Sequence, residues 1–251
     1  MFNIYLNEKS KILYMNIVLT KYIKTPFEHC VIDNFIPNEQ KENIYNRVQE
    51  LTLDKANSRF INFDQNGFKL VTHNKYGLSN INSFHQDLID FFKYLTGDSF
   101  VSKLEMLTGI NGLIRNDYTL LGGGVHIITN GGSLMMHTDF NSYDHPKYGK
   151  LDRRINLLLY MNKDWKDEYN GDLVLEHNEN DIKVIKKIKP IFNRAVIFNT
   201  TSKSVHGHPV PLKVPDNVMR KSIAVYYYTK NIQGDVDFEG DAQHGTLWKG
   251  N

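Results

Sequence analysis

The sequence predicts a mainly β domain, a double-sheet jelly roll with flanking helices, and two observations support this fold class. Downstream of residue 118, short runs rich in β-branched and aromatic residues alternate with turn signals such as Asn130-Gly131-Gly132 and Pro209-Val210-Pro211. Strands at this spacing are typical of a jelly roll. Upstream, apolar residues recur at helical spacing, so we expect helices on one outer face of the sheets.

The elements follow in a simple order along the chain. We expect an N-terminal extension at 1–23, a main domain at 24–232 and a C-terminal tail at 233–251. The main domain opens with a strand at 27–35. The predicted helices cover 37–51, 81–95 and 100–108, and the predicted strands cover 125–129, 133–139, 154–162, 172–177, 182–189, 194–199 and 220–229.

Composition excludes several classes of protein. The chain has 251 residues, a formal net charge of +2 and one cysteine, Cys30. This balance of charge does not favour nucleic acid or an anionic membrane as a partner. A single cysteine rules out an intramolecular disulfide and a cysteine-based zinc site, which fits a reducing compartment. The N-terminal residues lack the basic-then-apolar order of a signal peptide, so we expect a cytoplasmic protein. We expect its partner to be a small molecule or a peptide.

A histidine and a carboxylate two residues apart can chelate one metal only on an extended segment, because side chains alternate with period two along a strand. His137-Thr138-Asp139 ends a predicted strand and therefore qualifies. His85-Gln86-Asp87 lies in a predicted helix, where its side chains should diverge. His177-Asn178-Glu179 runs into a polar turn and lacks a downstream partner pattern.

A second imidazole and a cation follow downstream. Val205-His206-Gly207-His208 offers two candidate histidines, and Arg220 lies fourteen residues after His206. A 2-oxo-acid cosubstrate that chelates the metal needs a forked, permanently charged donor for its distal carboxylate, and arginine supplies one. Ser222 shares the face of Arg220 and adds a hydroxyl donor.

From about residue 24 to residue 232, the chain resembles the prolyl-4-hydroxylase-like branch of the iron(II)/2-oxoglutarate-dependent dioxygenases. The matching pieces are Cys30-Val31-Ile32-Asp33-Asn34-Phe35, His137-Thr138-Asp139-Phe140, Arg154-Ile155-Asn156-Leu157-Leu158-Leu159-Tyr160, Gly171-Asp172-Leu173, Asn193-Arg194-Ala195-Val196-Ile197-Phe198, His206-Gly207-His208-Pro209 and Arg220-Lys221-Ser222. The resemblance implies a double-stranded β-helix of the cupin-like type. It also implies Fe(II), 2-oxoglutarate and O2, with succinate and CO2 released.

The resemblance assigns the iron to His137, Asp139 and His206, with His208 as the competing third ligand. Arg220 and Ser222 are expected to bind 2-oxoglutarate. Asn156 and Tyr160 share one face of a strand with Arg154 and Leu158, and either could hydrogen-bond the cosubstrate. The alternative for Tyr160 is a core aromatic. His126 either lines the site or is a core histidine.

The substrate stays open at this stage. The peptidyl prolyl hydroxylases usually place a tyrosine on the strand before His-x-Asp and use lysine for the cosubstrate. Here those positions read Ile127-Ile128-Thr129-Asn130 and Arg220. The sequence therefore predicts hydroxylation of an unactivated C–H bond in a small-molecule, sugar or prolyl-type substrate. The alternatives are a cupin-like protein or non-oxygenase enzyme with another metal, and a non-catalytic binding module.

Two further segments have functional and structural interpretations. The polar segment 141–150 directly follows the candidate ligands and is either a substrate lid or an ordinary surface loop. The tyrosine run 226–228 is expected to pack within the sheet. Oligomeric state is not readable from the sequence.

Overall fold

The structure, a computed structural model, describes residues 21–56, 58–60, 72–179 and 182–249. Its helices are α1 (Asn38–Gln49), α2 (Gln86–Thr96) and α3 (Asp98–Thr108). Its strands are β1 (His29–Ile32), β2 (Ser58–Phe60), β3 (Thr72–Leu78), β4 (Gly124–Thr138), β5 (Ser142–His145), β6 (Gly149–Tyr160), β7 (Leu173–Glu179), β8 (Ile182–Ile188), β9 (Arg194–Asn199), β10 (Val205–His208), β11 (Arg220–Lys230) and β12 (Leu247–Trp248).

The predicted helices and strands are present, with some changes of boundary. The second helix starts later than predicted, because Ile81–Ser83 form a separate 3-10 turn and His85 caps α2. The predicted strands at 125–129 and 133–139 are parts of the single strand β4. The sequence did not indicate β2, β3, β5, β10 or β12. Most of the predicted extension at 1–23 lies outside the described residues.

The strands form one curled antiparallel sheet, so the mainly β fold class predicted from the sequence is confirmed. The main order is β1-β9-β6-β11-β4-β10-β7-β8; β3 and β12 also pair with β4, β2 pairs with β3, and β5 pairs with β6. The long strand β4 pairs with different strands along its length. Its first part pairs with β11 from Gly124 to Ile128, whereas its end pairs with β10. Between these parts Gly131 has φ +72°, which lets the chain bend there.

The helices pack on one face of the sheet, as the sequence predicted. On β6 the odd-numbered residues Ile155, Leu157 and Leu159 belong to the same apolar core as Phe92 of α2 and Leu104 of α3. Because side chains alternate along a strand, Asn156, Leu158 and Tyr160 face the opposite side, where the candidate site lies. Among the described helices, none has the length and apolar character needed to span a membrane.

The segment 141–150, which the sequence left as a lid or a loop, forms a β-hairpin. β5 pairs with the start of β6, with Ser142 opposite Asp152 and His145 opposite Gly149. At its base the buried Asn141 donates a hydrogen bond from Nδ2 to Asp237 at 2.8 Å. The described residues of this hairpin lie outside the cavity presented below.

The C-terminal segment returns to the sheet beside the candidate site. Strand β12 pairs with the end of β4, with Leu247 opposite Thr138 and Trp248 opposite His137. The side chain of Asn141 accepts a hydrogen bond from the backbone N–H of His244 at 2.8 Å. The tail therefore covers the segment that carries the candidate ligands.

Lys221 links β11 to α1 and provides a stability test. Its Nζ donates to the carbonyl oxygens of Leu51 at 2.8 Å, Gln49 at 3.1 Å and Val48 at 3.4 Å. These carbonyls lie at and just beyond the C-terminal end of α1, where backbone carbonyl groups carry partial negative charge. We predict that Lys221→Met lowers the free energy of unfolding by about 1–3 kcal/mol.

Urea unfolding measures this change, and Lys230→Met is the matched control because Lys230 is exposed at the end of the same strand. Equal midpoints for the two variants would contradict the proposed contribution of Lys221.

Candidate functional site

The three candidate metal ligands come together where β10 pairs with the end of β4. In this antiparallel pair His206 lies directly opposite His137. Asp139 follows β4 by one residue and is also buried. The Nε2 atom of His137 is 3.6 Å from Oδ1 of Asp139, and the Nε2 atom of His206 is 3.4 Å from Oδ2. One ligand atom from each residue lies within 4.8 Å of the other two.

The backbone sets the orientation of both imidazoles. Nδ1 of His137 donates to the carbonyl of Met135 at 2.8 Å, and Nδ1 of His206 donates to the carbonyl of Ser204 at 2.9 Å. With Nδ1 protonated, the neutral ring presents the lone pair of Nε2. Both histidines thus present an unprotonated nitrogen toward Asp139, as metal ligation requires.

Close packing holds these rings in place. The ring of Trp248 lies 4.8 Å from that of His137, and Phe198 lies 4.7 Å from His206. Gly207 permits the strands to approach, because a Cβ at this position would lie 2.8 Å from the carbonyl oxygens of both Leu134 and Met135. A side chain there would force β10 away from β4 and separate the two imidazoles.

Asp139 is held by a buried polar network on Oδ2. Asn156 donates to this oxygen from Nδ2 at 2.7 Å, and Nη2 of Arg153 lies 3.1 Å from it. The amide oxygen of Asn156 accepts from Nε of Arg153 at 3.0 Å and from Nη2 at 2.8 Å. Two donors on Oδ2 leave Oδ1 better placed to bind a metal through one oxygen. Asn156 is therefore suited to orient Asp139, in addition to lining the cavity.

Arg153 is 1% exposed, and two aromatic rings enclose its guanidinium. Its Cζ lies 4.4 Å from the ring centre of Phe140 and 3.7 Å from that of Tyr226. Burial opposes ionisation of Asp139, but the charge of Arg153 outweighs it and holds the pKa of that carboxyl well below its usual value. Asp139 is thus ionised and ready to bind a cation.

Sequence reasoning missed Arg153 because a β-bulge changes the alternation on β6. Tyr227 pairs with Ile155 and Tyr228 pairs with Arg153, so Arg154 is the extra residue of the bulge. Arg154 consequently leaves the face of Asn156 that the sequence predicts for it. Its guanidinium instead lies 3.7 Å from the ring centre of Phe238.

One cavity joins the candidate ligands to the predicted cosubstrate-binding residues. Besides the ligands it is lined by Arg220, Ser222, Asn156, Tyr160, Lys75, His126, His208, Tyr226, Gly207 and the apolar residues Ile128, Leu134, Leu158 and Leu173. The buried Arg220 donates from Nε to the carbonyl of Gly171 at 2.9 Å, and its Cζ lies 4.9 Å from the ring centre of Tyr160. The structure thus brings all the predicted site residues together.

Three cavity residues add to the predicted set. His126, one of two alternatives in the sequence, lines the cavity and donates from Nε2 to the carbonyl of Gly122 at 2.9 Å. Lys75 of β3 was not predicted; burial and the nearby Arg220 and Arg153 lower its pKa to about 8, against the opposing effect of Asp139. Tyr226 faces the cavity and Arg153, whereas its neighbour Tyr227 packs against α2.

The two rejected pairs lie elsewhere. The side chains of His85 and Asp87 do not diverge as predicted: Nδ1 of His85 accepts from the backbone N–H of Asp87 at 3.2 Å and caps the start of α2. Both are partly exposed at the helix end, away from the cavity. His177 of β7 is likewise outside the cavity lining.

The donor set fits a first-row divalent metal with open coordination positions. Two neutral imidazoles and one carboxylate on one side of an ion form the arrangement found in non-haem iron(II) oxygenases. The nearby Arg220 and Ser222 suit the distal carboxylate of a chelating 2-oxo acid. A jelly roll with this combination defines a mononuclear metalloenzyme that uses a 2-oxo-acid cosubstrate.

The family model of the 2OG-Fe(II) oxygenase superfamily matches residues 123–228 of the chain. This segment contains His137, Asp139, His206, Arg220 and Ser222. The protein is a 2-oxoglutarate-dependent dioxygenase. Its metal cofactor is Fe(II), and its cosubstrates are 2-oxoglutarate and O2. No curated protein sequence matches the chain significantly.

Solved structures with the same fold include two prolyl hydroxylases and HygX. A prolyl hydroxylase from Trichoplax adhaerens, in complex with a hypoxia inducible factor peptide fragment, has a TM-score of 0.55 and 22% identity over 80% of this chain and 83% of its own. A Pseudomonas putida prolyl-4-hydroxylase has a TM-score of 0.54 and 11% identity, over 81% of this chain and 92% of its own. HygX from Streptomyces hygroscopicus, with nickel, 2-oxoglutarate and hygromycin B bound, has a TM-score of 0.50 and 10% identity, over 88% of this chain and 92% of its own. At these identities the likeness establishes the double-stranded β-helix fold.

The network around Asp139 predicts a change in metal affinity. Arg153→Met removes one donor to Oδ2 and the cation that favours the ionised carboxyl, so we expect the Kd for Mn(II) to rise about ten- to a hundredfold. Calorimetric titration of the metal-free protein with Mn(II) measures the change. Arg154→Met is the matched control, because the bulge turns this neighbouring arginine toward Phe238. Equal affinities in the two variants would contradict the role of Arg153.

The buried histidines predict acid sensitivity of the metal-free protein. Burial lowers the pKa of His206 from 6.5 to about 4, in spite of the opposing effect of Asp139. Burial likewise lowers the pKa values of His126 and His208. As pH falls through this window the unfolded chain binds protons that the folded chain does not, so the free energy of unfolding decreases.

His208→Leu should reduce the dependence of unfolding free energy on pH by up to one proton, about 1.4 kcal/mol per pH unit. Urea unfolding of the metal-free variant and wild-type protein between about pH 7.5 and pH 4.5 measures the two slopes. Identical slopes would show that His208 does not contribute.

Proposed function

We propose that the protein hydroxylates an unactivated C–H bond of its substrate, with conversion of 2-oxoglutarate and O2 to succinate and CO2. One oxygen atom of O2 enters the substrate as a hydroxyl and the other enters succinate. The observation that carries this proposal is the single buried cavity in which His137, Asp139 and His206 face Arg220 and Ser222.

The chain's residues have distinct roles in this proposal. His137, Asp139 and His206 would hold Fe(II), which together with 2-oxoglutarate supplies the chemistry that activates O2. Arg220 and Ser222 bind the distal carboxylate and so orient the cosubstrate. Arg153 and Asn156, through Oδ2, keep Asp139 in position. The surrounding buried side chains exclude water, and placing the reactants side by side lowers the entropic barrier.

We propose a small molecule, such as a sugar or an amino acid, as the substrate class, with a prolyl residue as the second candidate. The departure from the peptidyl prolyl hydroxylases at Ile127-Ile128-Thr129-Asn130 and Arg220 favours the small molecule. HygX, which shares the fold, has the small molecule hygromycin B bound, whereas the Trichoplax adhaerens enzyme has a peptide bound.

Turnover under 18O2 tests the reaction and the substrate class together. With Fe(II) and 2-oxoglutarate, the wild-type protein should form succinate in proportion to hydroxylated product, with one labelled atom in each. Mass spectrometry of reactions with free amino acids, sugars and aminoglycosides in one series, and prolyl peptides in the other, identifies the substrate class. If a substrate pool stimulated succinate formation but none of its members gained an 18O label, hydroxylation would be overturned.

Arg220→Met should raise the KM for 2-oxoglutarate about ten- to a hundredfold, because the carboxylate loses a charge-assisted donor. Succinate formation measures this change, and the Kd for Mn(II) should stay at the wild-type value. Arg194→Met is the control, since Arg194 pairs with Asp33 at the protein surface. An unchanged KM in Arg220→Met would overturn the assignment of Arg220 to the cosubstrate.

A further inference from the structure

His208 is buried without a hydrogen-bond partner in the described part of the structure. Its side chain is 3% exposed, yet neither Nδ1 nor Nε2 makes a hydrogen bond. A buried polar atom left unsatisfied costs about 1–3 kcal/mol, so such atoms in a native protein require an explanation. His208 lines the same cavity as the candidate metal ligands. Its unused nitrogens therefore point to a ligand in that cavity.

This ligand is not the metal. On β10, His206 lies opposite His137, whereas His208 lies opposite Leu134 and is two residues farther along the strand. His137 and His206 both have Nδ1 tied to a backbone carbonyl, as metal-binding histidines usually do, and His208 has no such bond. The group of close ligand atoms contains His206 and not His208.

The surroundings of His208 indicate an anion. Arg220 and Lys75 are its two strongest charged neighbours. Both are cationic side chains that line the cavity. Asp139 is the only carboxylate among the described residues of the lining, and Arg153 and Asn156 already occupy its Oδ2. A neutral imidazole with cations nearby can donate one N–H bond to a carboxylate.

We propose that His208 hydrogen-bonds the distal carboxylate of 2-oxoglutarate, beside Arg220. The inference rests on the use of 2-oxoglutarate in the proposed function. Arg220 supplies the charge for this carboxylate. It lines the same cavity as His208, and Nε of its guanidinium donates to the carbonyl of Gly171. The imidazole that lacks a partner thereby gains one when the cosubstrate binds.

Anaerobic calorimetry on Co(II)-loaded protein tests the proposal with two probes. 2-Oxoglutarate carries the distal carboxylate, and 2-oxopentanoate has the same chain length without it. In His208→Leu we expect the Kd for 2-oxoglutarate to rise about ten- to a hundredfold, as for loss of a hydrogen bond to a charged group, and the Kd for 2-oxopentanoate to stay at the wild-type value. His208→Gln, which keeps an N–H donor, should recover part of the loss.

Two further measurements separate ligand binding from a structural role. His208→Leu should bind Co(II) with wild-type affinity and, without ligands at about pH 7.5, should be at least as stable to urea as wild-type protein, because an apolar side chain replaces two unsatisfied atoms. His177→Leu is the control, since His177 lies on the neighbouring β7 outside the cavity lining.

The possible results divide clearly. Wild-type affinity of His208→Leu for 2-oxoglutarate would overturn the proposal, as would an equal loss of affinity for both oxo acids or loss of Co(II) binding. Wild-type protein that binds Co(II) but no 2-oxoglutarate would instead overturn the proposed function itself.

Discussion

The pairing of β10 with the end of β4 is the constraint on which the candidate site depends. It places His206 opposite His137 and brings both imidazoles to the carboxylate of Asp139. The pairing requires Gly207, because a Cβ there would collide with two carbonyl oxygens of β4. Gly131, with φ +72°, lies between the part of β4 that pairs with β11 and the part that pairs with β10. The curled sheet is thus the means by which distant residues reach one ion.

Electrostatics explains how so many charged and polar groups remain buried in this sheet. Asp139, Arg153 and Asn156 satisfy one another, and Phe140 and Tyr226 enclose the arginine. Removing one member would leave a buried charge unpaired, so the network is costly to break. The same network holds Oδ2 of Asp139 and so orients its carboxylate beside the two imidazoles. Stability and metal geometry are therefore linked through a single arginine.

The cavity beyond the candidate ligands has the opposite character. Arg220 and Lys75 concentrate positive charge there, and His208 stays unsatisfied beside them. These features are unfavourable in a protein without ligands and become favourable when a dicarboxylate enters. The site is in this sense complementary to 2-oxoglutarate. On the opposite side Trp248 of β12 packs on His137, so the C-terminal segment completes the wall around that imidazole.

The sequence by itself determined the fold class, the strand that carries His137 and Asp139, and the pair of Arg220 and Ser222. All of these depend on local spacing, since the alternation of side chains along one strand already decides which residues share a face. It also predicted the three helices from their apolar periodicity. Only the tertiary structure decided the rest. Arg153 reaches the site because of a bulge, which is seen only when β6 is paired with β11. His206 and His208 are distinguished only by their partners on β4, His137 and Leu134. Lys75 and Trp248 lie on strands that no local sequence pattern indicated, because their positions depend on contacts between segments far apart in the chain.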